Sequence, residues 1–200
     1  MKLTDNVRIF QSVEAMAEAS GKYIVELAKH TIDTRGRFLI ALSGGHTPEQ
    51  LYTLLSTTPL RDEIPWNKTF IFWGDERYVP STDKRNNALM AKALLLDHVD
   101  IPSSNTYPVP VELPPAEAAK KYERTIRKFF GDALPRFDFI LLGLGENGHT
   151  ASLFPGSQVI DEDARLVQEV YVPDQKMFRI TMTAKLINQA HNVMFLVEGE

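Results

Sequence analysis

Residues 139–156 have the sequence FILLGLGENGHTASLFPG, in which an apolar run gives way to a glycine-rich loop around His149. The run is typical of a buried strand, and Pro155-Gly156 ends the loop. Glycines let the backbone expose its N–H groups, and an imidazole titrates near neutral pH, so this loop suits acid–base chemistry. The alternative is a structural turn whose histidine only packs against its neighbours.

The composition predicts one globular domain spanning residues 1–200. Hydrophobic residues make up 44% of the chain and charged residues 24%, and the net charge is −4. Such a charge argues against nucleic-acid or membrane partners, and the lack of cysteine excludes disulfides and thiolate metal sites. The sequence shows no signal peptide and no apolar run near the ~20 residues that a membrane helix needs. We therefore expect a soluble, cytoplasmic protein.

Apolar strands alternate with helical patterns along the chain. Helical spacing of apolar residues begins near Val13 and ends at Gly36, and Thr47-Pro48-Glu49-Gln50 resembles a capping box at a helix start. The predicted strands are RFLIAL (37–42), TFIFW (69–73), FDFILLG (137–143), RLVQEVYVP (165–173), FRITMT (178–183) and NVMFLV (192–197). This alternation predicts a doubly wound, Rossmann-like α/β fold with a mainly parallel sheet and helices on both faces.

Three polar loops each follow a predicted strand directly. They are SGGHTP (43–48), GDER (74–77) and GLGENGH (143–149). In open α/β sheets, ligands bind beyond the carboxyl ends of the strands, near a switch in strand order. We therefore expect the three loops to meet at one site.

The first loop has the features of a phosphate-binding loop. Gly44 and Gly45 allow a sharp turn into a helix N-terminus, and Ser43 and Thr47 add hydroxyl groups. The lysine of a Walker A loop is missing, which argues against nucleoside triphosphates. A plain glycine turn is one alternative. Another is a serine hydrolase, because residues 41–45 are one residue away from G-x-S-x-G and Ser43, Asp75 and His149 follow the order of α/β-hydrolases.

Residues 143–148 match the letters G-x-G-x-x-G of dinucleotide-binding loops. A dinucleotide site also needs a long helix after the third glycine and an acidic residue at the end of the next strand. Here Phe154-Pro155-Gly156 interrupts any helix early, and Asp163 precedes the next strand. The match is therefore a weak argument for NAD.

The remaining candidates are charged or amide side chains near the second loop. The guanidinium of Arg77 can clamp an anion with two hydrogen bonds. The carboxylate of Asp75 can orient an imidazole or share its proton. Lys84, Arg85 and Asn87 follow closely and are expected to line the same rim. Arg179 opens the strand FRITMT as another candidate anion ligand. The alternative for the triplet at 75–77 is a solvated turn.

Taken in order, SGGHTP, WGDERYVPSTDKRNNALM, GLGENGHTASLFPGS and FRITMT resemble the 6-phosphogluconolactonases, from about Ala41 to the C-terminus. That family shares its fold with glucosamine-6-phosphate deaminases. The deaminases carry an acidic residue five positions after the histidine, where this chain has Phe154, and Asp before the Gly-His pair, where it has Asn147. Both differences favour the lactonase. The second also departs from the commoner lactonase pattern, so Asn147 is assigned no acid role.

The resemblance implies hydrolysis of 6-phospho-D-glucono-1,5-lactone in the oxidative pentose phosphate pathway, with His149 as the base that activates water. The resemblance also implies that this reaction requires no metal or cofactor. Arg77 or the N–H groups around Gly145 and Gly148 would stabilise the oxyanion. The phosphate would be held by Ser43, Gly44, Gly45, Thr47 and Arg179. A deaminase-like isomerase, a serine hydrolase using Ser43 and a non-catalytic sugar-phosphate sensor stay open, and we expect a monomer or a weak homodimer.

The sequence stops just after the strand at Val193–Val197. Members of the resembling family continue with a helix whose start supplies a lysine to the phosphate pocket. We therefore expect the C-terminal helix to be lacking. The alternative is a naturally complete chain in which Arg179 suffices.

Overall fold

The computed structural model describes residues 6–199 and contains the alternating helices and strands that the sequence predicts. The helices are α1 (Val13–Arg35), α2 (Thr47–Leu55), α3 (Leu60–Glu63), α4 (Asn87–Leu94), α5 (Pro115–Phe130) and α6 (Ala184–Ile187). The strands are β1 (Phe38–Leu42), β2 (Thr69–Trp73), β3 (Asp75–Arg77), β4 (Phe139–Gly143), β5 (Val167–Val172), β6 (Met177–Met182) and β7 (Val193–Leu196). None of the helices in this part of the chain combines the length and apolarity that crossing a membrane requires.

The central sheet has four parallel strands in the order β2-β1-β4-β7. Successive side chains of a strand point to opposite faces, and β1 shows both faces buried. Phe38, Ile40 and Leu42 pack into a core with residues of α1, α2 and α4, whereas Leu39 and Ala41 pack into a second core with α5. The prediction of a parallel sheet covered by helices on both faces is confirmed.

Two strands that we expected in this sheet lie elsewhere. RLVQEVYVP and FRITMT form β5 and β6, which pair antiparallel with β3 in a second, three-stranded sheet of order β3-β6-β5. Only a short turn, Pro173–Gln175 with Lys176, joins β5 to β6. These two strands cannot run parallel, because a parallel connection needs a crossover of a dozen or more residues. The segment 75–77, predicted as a loop, is the edge strand β3.

The sequence predicts three helix boundaries, and the structure agrees with two of them. Gly36, in the left-handed conformation, ends α1, and Gly131 ends α5. The predicted capping box at Thr47 is wrong: Thr47 is the first helical residue, and no side chain caps α2. The chain enters this helix through His46, whose backbone is already helical rather than extended as an N-cap requires.

The loops that follow β1, β2 and β4 lie at the same end of the central sheet. β1 is paired with both β2 and β4, so these three carboxyl ends are neighbours. The second sheet joins this end through Gly74, whose N–H donates to Leu42 and whose carbonyl accepts from Met182. The fold therefore places the three candidate loops and β6 around one site.

Candidate active site

A series of side-chain contacts connects the three loops. The Asn87 side chain lies against Gly44 and donates through Nδ2 to the carbonyl of Asp75, at 2.9 Å. The Asp75 carboxylate accepts from Ser152 Oγ at 2.7 Å, and Ser152 lies three residues after His149. The SGGHTP loop, β3 and the histidine loop thus form one connected cluster, as the sequence predicts.

The SGGHTP loop is anchored from behind by Tyr52 of α2. The Tyr52 hydroxyl donates to the Ser43 carbonyl at 2.6 Å and accepts from the Ser43 N–H at 3.0 Å. Gly44 admits no side chain, because an ideal Cβ there would lie 1.9 Å from Asn87 Oδ1. Tyr52 and Asn87 therefore fix the path of the loop.

The start of α4 is held by a buried carboxylate that the sequence reasoning missed. Glu76 is fully buried, and its two oxygens accept from the backbone N–H groups of Arg77, Asn87 and Ala88 at 2.7–2.9 Å. Burial raises the pKa of Glu76 to about 7, against the effect of these hydrogen bonds. Through Asn87, Glu76 links α4 to the SGGHTP loop.

Two arginines face each other across β3 and β6. Arg77 is the register partner of Arg179, which is 5% exposed and lies 3.5 Å from Asp75 through Nη1. The Arg179 Nη2 donates to Gln175. Among the described residues, the buried Nε atoms of both arginines have no hydrogen-bond partner. Arg179 is paired with one carboxylate, Arg77 has no carboxylate partner among the described residues, and both keep a buried donor unpaired, which favours an anion at this place.

Arg85 differs from the expectation that Lys84 and Arg85 line the same rim. Its guanidinium is engaged with the Asp83 carboxylate, 2.6 Å away at Nη2. Its backbone carbonyl accepts from Arg77 Nη1 at 3.2 Å. Arg85 therefore positions Arg77 and contributes little free positive charge.

His149 is half-buried in a slot of its own loop. Its ring stacks on Phe154, with centroids 4.4 Å apart and planes inclined by 22°, and it lies so close to Gly145 that a Cβ there would be 2.1 Å away. Its Nδ1 is 2.6 Å from Asn147 Oδ1. Burial, and then the positive charge of Arg179, lower the pKa of His149 below its usual value. A neutral imidazole at neutral pH is the form that acts as a base.

The two backbone N–H groups that we expected to stabilise the oxyanion already donate hydrogen bonds within this loop. The Gly145 N–H donates to the His149 carbonyl and the Gly148 N–H to the Gly145 carbonyl, both at 2.8 Å. Gly145 and Gly148 therefore shape the loop, and their N–H groups are not the free donors that we predicted. No helix follows Gly148 within residues 149–157, which also removes the structural context of a dinucleotide-binding loop.

The catalytic triad of a serine hydrolase is not formed. In the part of the chain that the structure describes, Asp75 is bonded to Ser152 and Arg179, His149 to Asn147, and the Ser43 hydroxyl to the Gly44 carbonyl. The expectation that Asp75 orients the imidazole is therefore wrong for this arrangement. Asp75 instead holds Ser152 and Arg179, and Asn147 contacts the imidazole.

The fold and this cluster define a sugar-phosphate enzyme of the glucosamine-6-phosphate isomerase/6-phosphogluconolactonase family, to which the chain belongs. The model of that family matches residues 11–200. The chain is 40% identical over 197 residues to a 6-phosphogluconolactonase of Nostoc sp., covering 96% of this chain and 80% of the relative. It is 44% identical over 172 residues to one of Synechocystis sp., covering 84% and 69%. Among solved structures, a 6-phosphogluconolactonase from Trypanosoma cruzi superposes with a TM-score of 0.85 at 33% identity, covering 96% of this chain and 79% of that one.

Proposed function

We propose that this chain hydrolyses 6-phospho-D-glucono-1,5-lactone to 6-phosphogluconate. The observation that carries the proposal is the arginine pair at positions 77 and 179, with unpaired buried donors, in one cluster with the half-buried imidazole of His149. An anion site beside a base fits a phosphorylated substrate that reacts with water. The names of the relatives at 40% and 44% identity identify the lactone as that substrate.

In the proposed reaction, the phosphate binds at Ser43–Thr47 with help from Arg179. His149 Nε2 takes a proton from water, and the resulting hydroxide attacks the lactone carbonyl carbon. Arg77 stabilises the negative charge that develops on the carbonyl oxygen. The tetrahedral intermediate then breaks the bond from this carbon to the ring oxygen, which receives the proton back from His149. The product is the open-chain acid, which ionises at neutral pH.

The surroundings of His149 support the lactonase over the deaminase. A deaminase or isomerase abstracts a proton next to a carbonyl, and the related deaminases place an acidic side chain five residues after the histidine. That position here is Phe154, whose ring stacks on the imidazole. The histidine therefore has an apolar neighbour where the deaminases have a second acid–base group.

The test compares two lactones that differ only in the phosphate. Acid release in a pH-stat, corrected for spontaneous hydrolysis, gives kcat and KM for the phosphorylated lactone and for glucono-1,5-lactone. We expect kcat/KM to be at least about 10²-fold higher for the phosphorylated substrate, because remote binding energy positions the reacting carbonyl.

A variant of the anion site makes this test specific. Arg179→Gln should raise KM for the phosphorylated lactone about tenfold or more, since a charge-assisted hydrogen bond contributes about 1.5–3 kcal/mol. It should change the constants for the unphosphorylated lactone much less. Equal kcat/KM for the two lactones would contradict the proposal. Tight binding without turnover would indicate a sensor, and ammonia release from glucosamine-6-phosphate would indicate a deaminase.

A further inference from the structure

Asn147 contacts His149 twice through one side-chain oxygen. Its Oδ1 lies 3.3 Å from the backbone nitrogen of His149 and 2.6 Å from the ring nitrogen Nδ1. A backbone N–H only donates, so the side-chain atom that faces it is the carbonyl oxygen and not the amide nitrogen. That oxygen has no hydrogen to give, and therefore the bond to Nδ1 requires the proton to be on Nδ1. His149 is then the tautomer whose Nε2 has a free lone pair.

The walls of the slot keep the ring in this orientation. Phe154 covers one face of the imidazole, and the ring also lies against Gly145, where a Cβ would be 2.1 Å from the ring. A rotation of the ring by 180° about its Cβ–Cγ bond would place a C–H group opposite the Asn147 oxygen. The stacking and the hydrogen bond thus favour the same placement of Nε2.

The charged groups that face the imidazole come from the second sheet. They are Asp75 and Arg77 on β3 and Arg179 on β6, of which Arg179 and Arg77 disfavour the imidazolium and Asp75 favours it. Asn147 accepts from Nδ1 without adding a negative charge. A carboxylate at the same place would accept the same hydrogen bond and would also stabilise the imidazolium.

We propose that Asn147 is a positioning residue for His149: it holds the tautomer whose Nε2 takes the proton from water, and its neutral amide keeps that base unprotonated at a lower pH than an aspartate would. The proposal rests on the proposed role of His149 as the base. It assigns a purpose to a position at which the chain departs from the commoner lactonase pattern.

Two substitutions separate the hydrogen bond from the charge. Asn147→Asp keeps an acceptor and adds a charge, whereas Asn147→Leu has a similar shape and removes the acceptor. The matched control is Glu146→Gln, which changes a charge on the adjacent exposed residue outside the contacts of His149. Both positions, 146 and 147, are exposed, so the fold should tolerate the three substitutions.

Nitrogen-15 spectra of the imidazole rings read the tautomer without any activity measurement. The chain has five histidines, and the resonances of His149 are those lost in His149→Gln. We expect wild type to show a protonated Nδ1 and an unprotonated Nε2, and Asn147→Leu to shift toward the opposite tautomer. Asn147→Asp should keep the wild-type tautomer and raise the pKa of His149 by about one unit.

The pH dependence of the rate should agree with the tautomer and the pKa that the spectra report. In Asn147→Asp the acid limb of kcat/KM should move to higher pH by the same amount, with kcat near wild type on the alkaline side. Asn147→Leu should lose about ten- to 10³-fold in kcat with KM little changed, because the wrong tautomer offers no lone pair to water. Glu146→Gln should match wild type.

Two results would overturn the inference: a wild-type His149 protonated on Nε2, or the same pKa in wild type and Asn147→Asp. Failure of the proposed function has a different signature. In that case His149→Gln would retain activity, whatever tautomer the spectra report. An inactive His149→Gln together with an Nε2-protonated ring would refute only the role of Asn147.

Discussion

Gly44→Ala tests the contact that joins the SGGHTP loop, proposed to bind the phosphate, to the rest of the site. An ideal Cβ on Gly44 would lie 1.9 Å from Asn87 Oδ1, 2.2 Å from its Cγ and 2.5 Å from its Nδ2. Gly44 does not have a positive φ, so alanine suits its backbone and the cost comes from the clash. Asn87 is 1% exposed, so its side chain is enclosed by other residues.

The structure sets the size of the expected effect. Overpacking of a buried site costs about 1–3 kcal/mol. Moving Asn87 also breaks its 2.9 Å bond to the Asp75 carbonyl, and a buried polar group left unpaired costs about 1–3 kcal/mol. We therefore expect Gly44→Ala to lower the free energy of unfolding by about 2–6 kcal/mol and to raise KM for the phosphorylated lactone.

Urea unfolding and pH-stat kinetics measure the two effects, with Gly143→Ala as the control. A Cβ on Gly143 would have no atom within 4 Å, and its φ is also outside the positive range. In the Asn87→Ala background the clash is absent, so Gly44→Ala should then cost less than about 1 kcal/mol. A Gly44→Ala protein as stable as wild type, or an equal cost in both backgrounds, would refute the reasoning.

Two further predictions concern buried and hydroxyl groups of the site. Burial raises the pKa of Glu76 from 4.5 to about 7, so the folded chain holds this proton more tightly than the unfolded chain, and stability should fall as pH rises from about 4.5 to 7, by about 3 kcal/mol. Glu76→Gln should remove that part of the pH dependence of urea unfolding, and equal pH slopes in the two proteins would contradict it. Ser43→Ala should raise KM more than it lowers kcat, and a fluorophosphonate should leave the intact mass of wild type unchanged, whereas an adduct on Ser43 would support a serine hydrolase.

The central sheet could be predicted because its strands are continuous apolar runs. Thr69–Trp73 has the predicted bounds, and β1 and β4 begin within two residues of theirs. FRITMT has the same apolar character, and only the short turn before it, at Pro173–Gln175, distinguishes an antiparallel hairpin from a parallel strand. Composition alone therefore could not assign β5 and β6 to a second sheet.

The site residues were predictable where the signal is local. The residues of the three loops follow strands directly, and Asn147 is two positions from His149, a spacing at which an Asn side chain reaches the backbone. Glu76 alternates with Asp75 and Arg77, so the period of a strand places it on the opposite face of β3 from them. The bond from Ser152 to Asp75 joins residues 77 apart in the sequence, and no local pattern predicts it.

The most direct test of the account is the rate of lactone hydrolysis in His149→Ala. With saturating 6-phospho-D-glucono-1,5-lactone and correction for the spontaneous reaction, kcat should fall by about 10²–10⁴-fold, while KM stays within a few-fold of wild type. His98→Ala, a histidine on an exposed turn outside the site, should match wild type. A His149→Ala protein that turns over the lactone within a few-fold of the wild-type rate would contradict the central claim that His149 is the base.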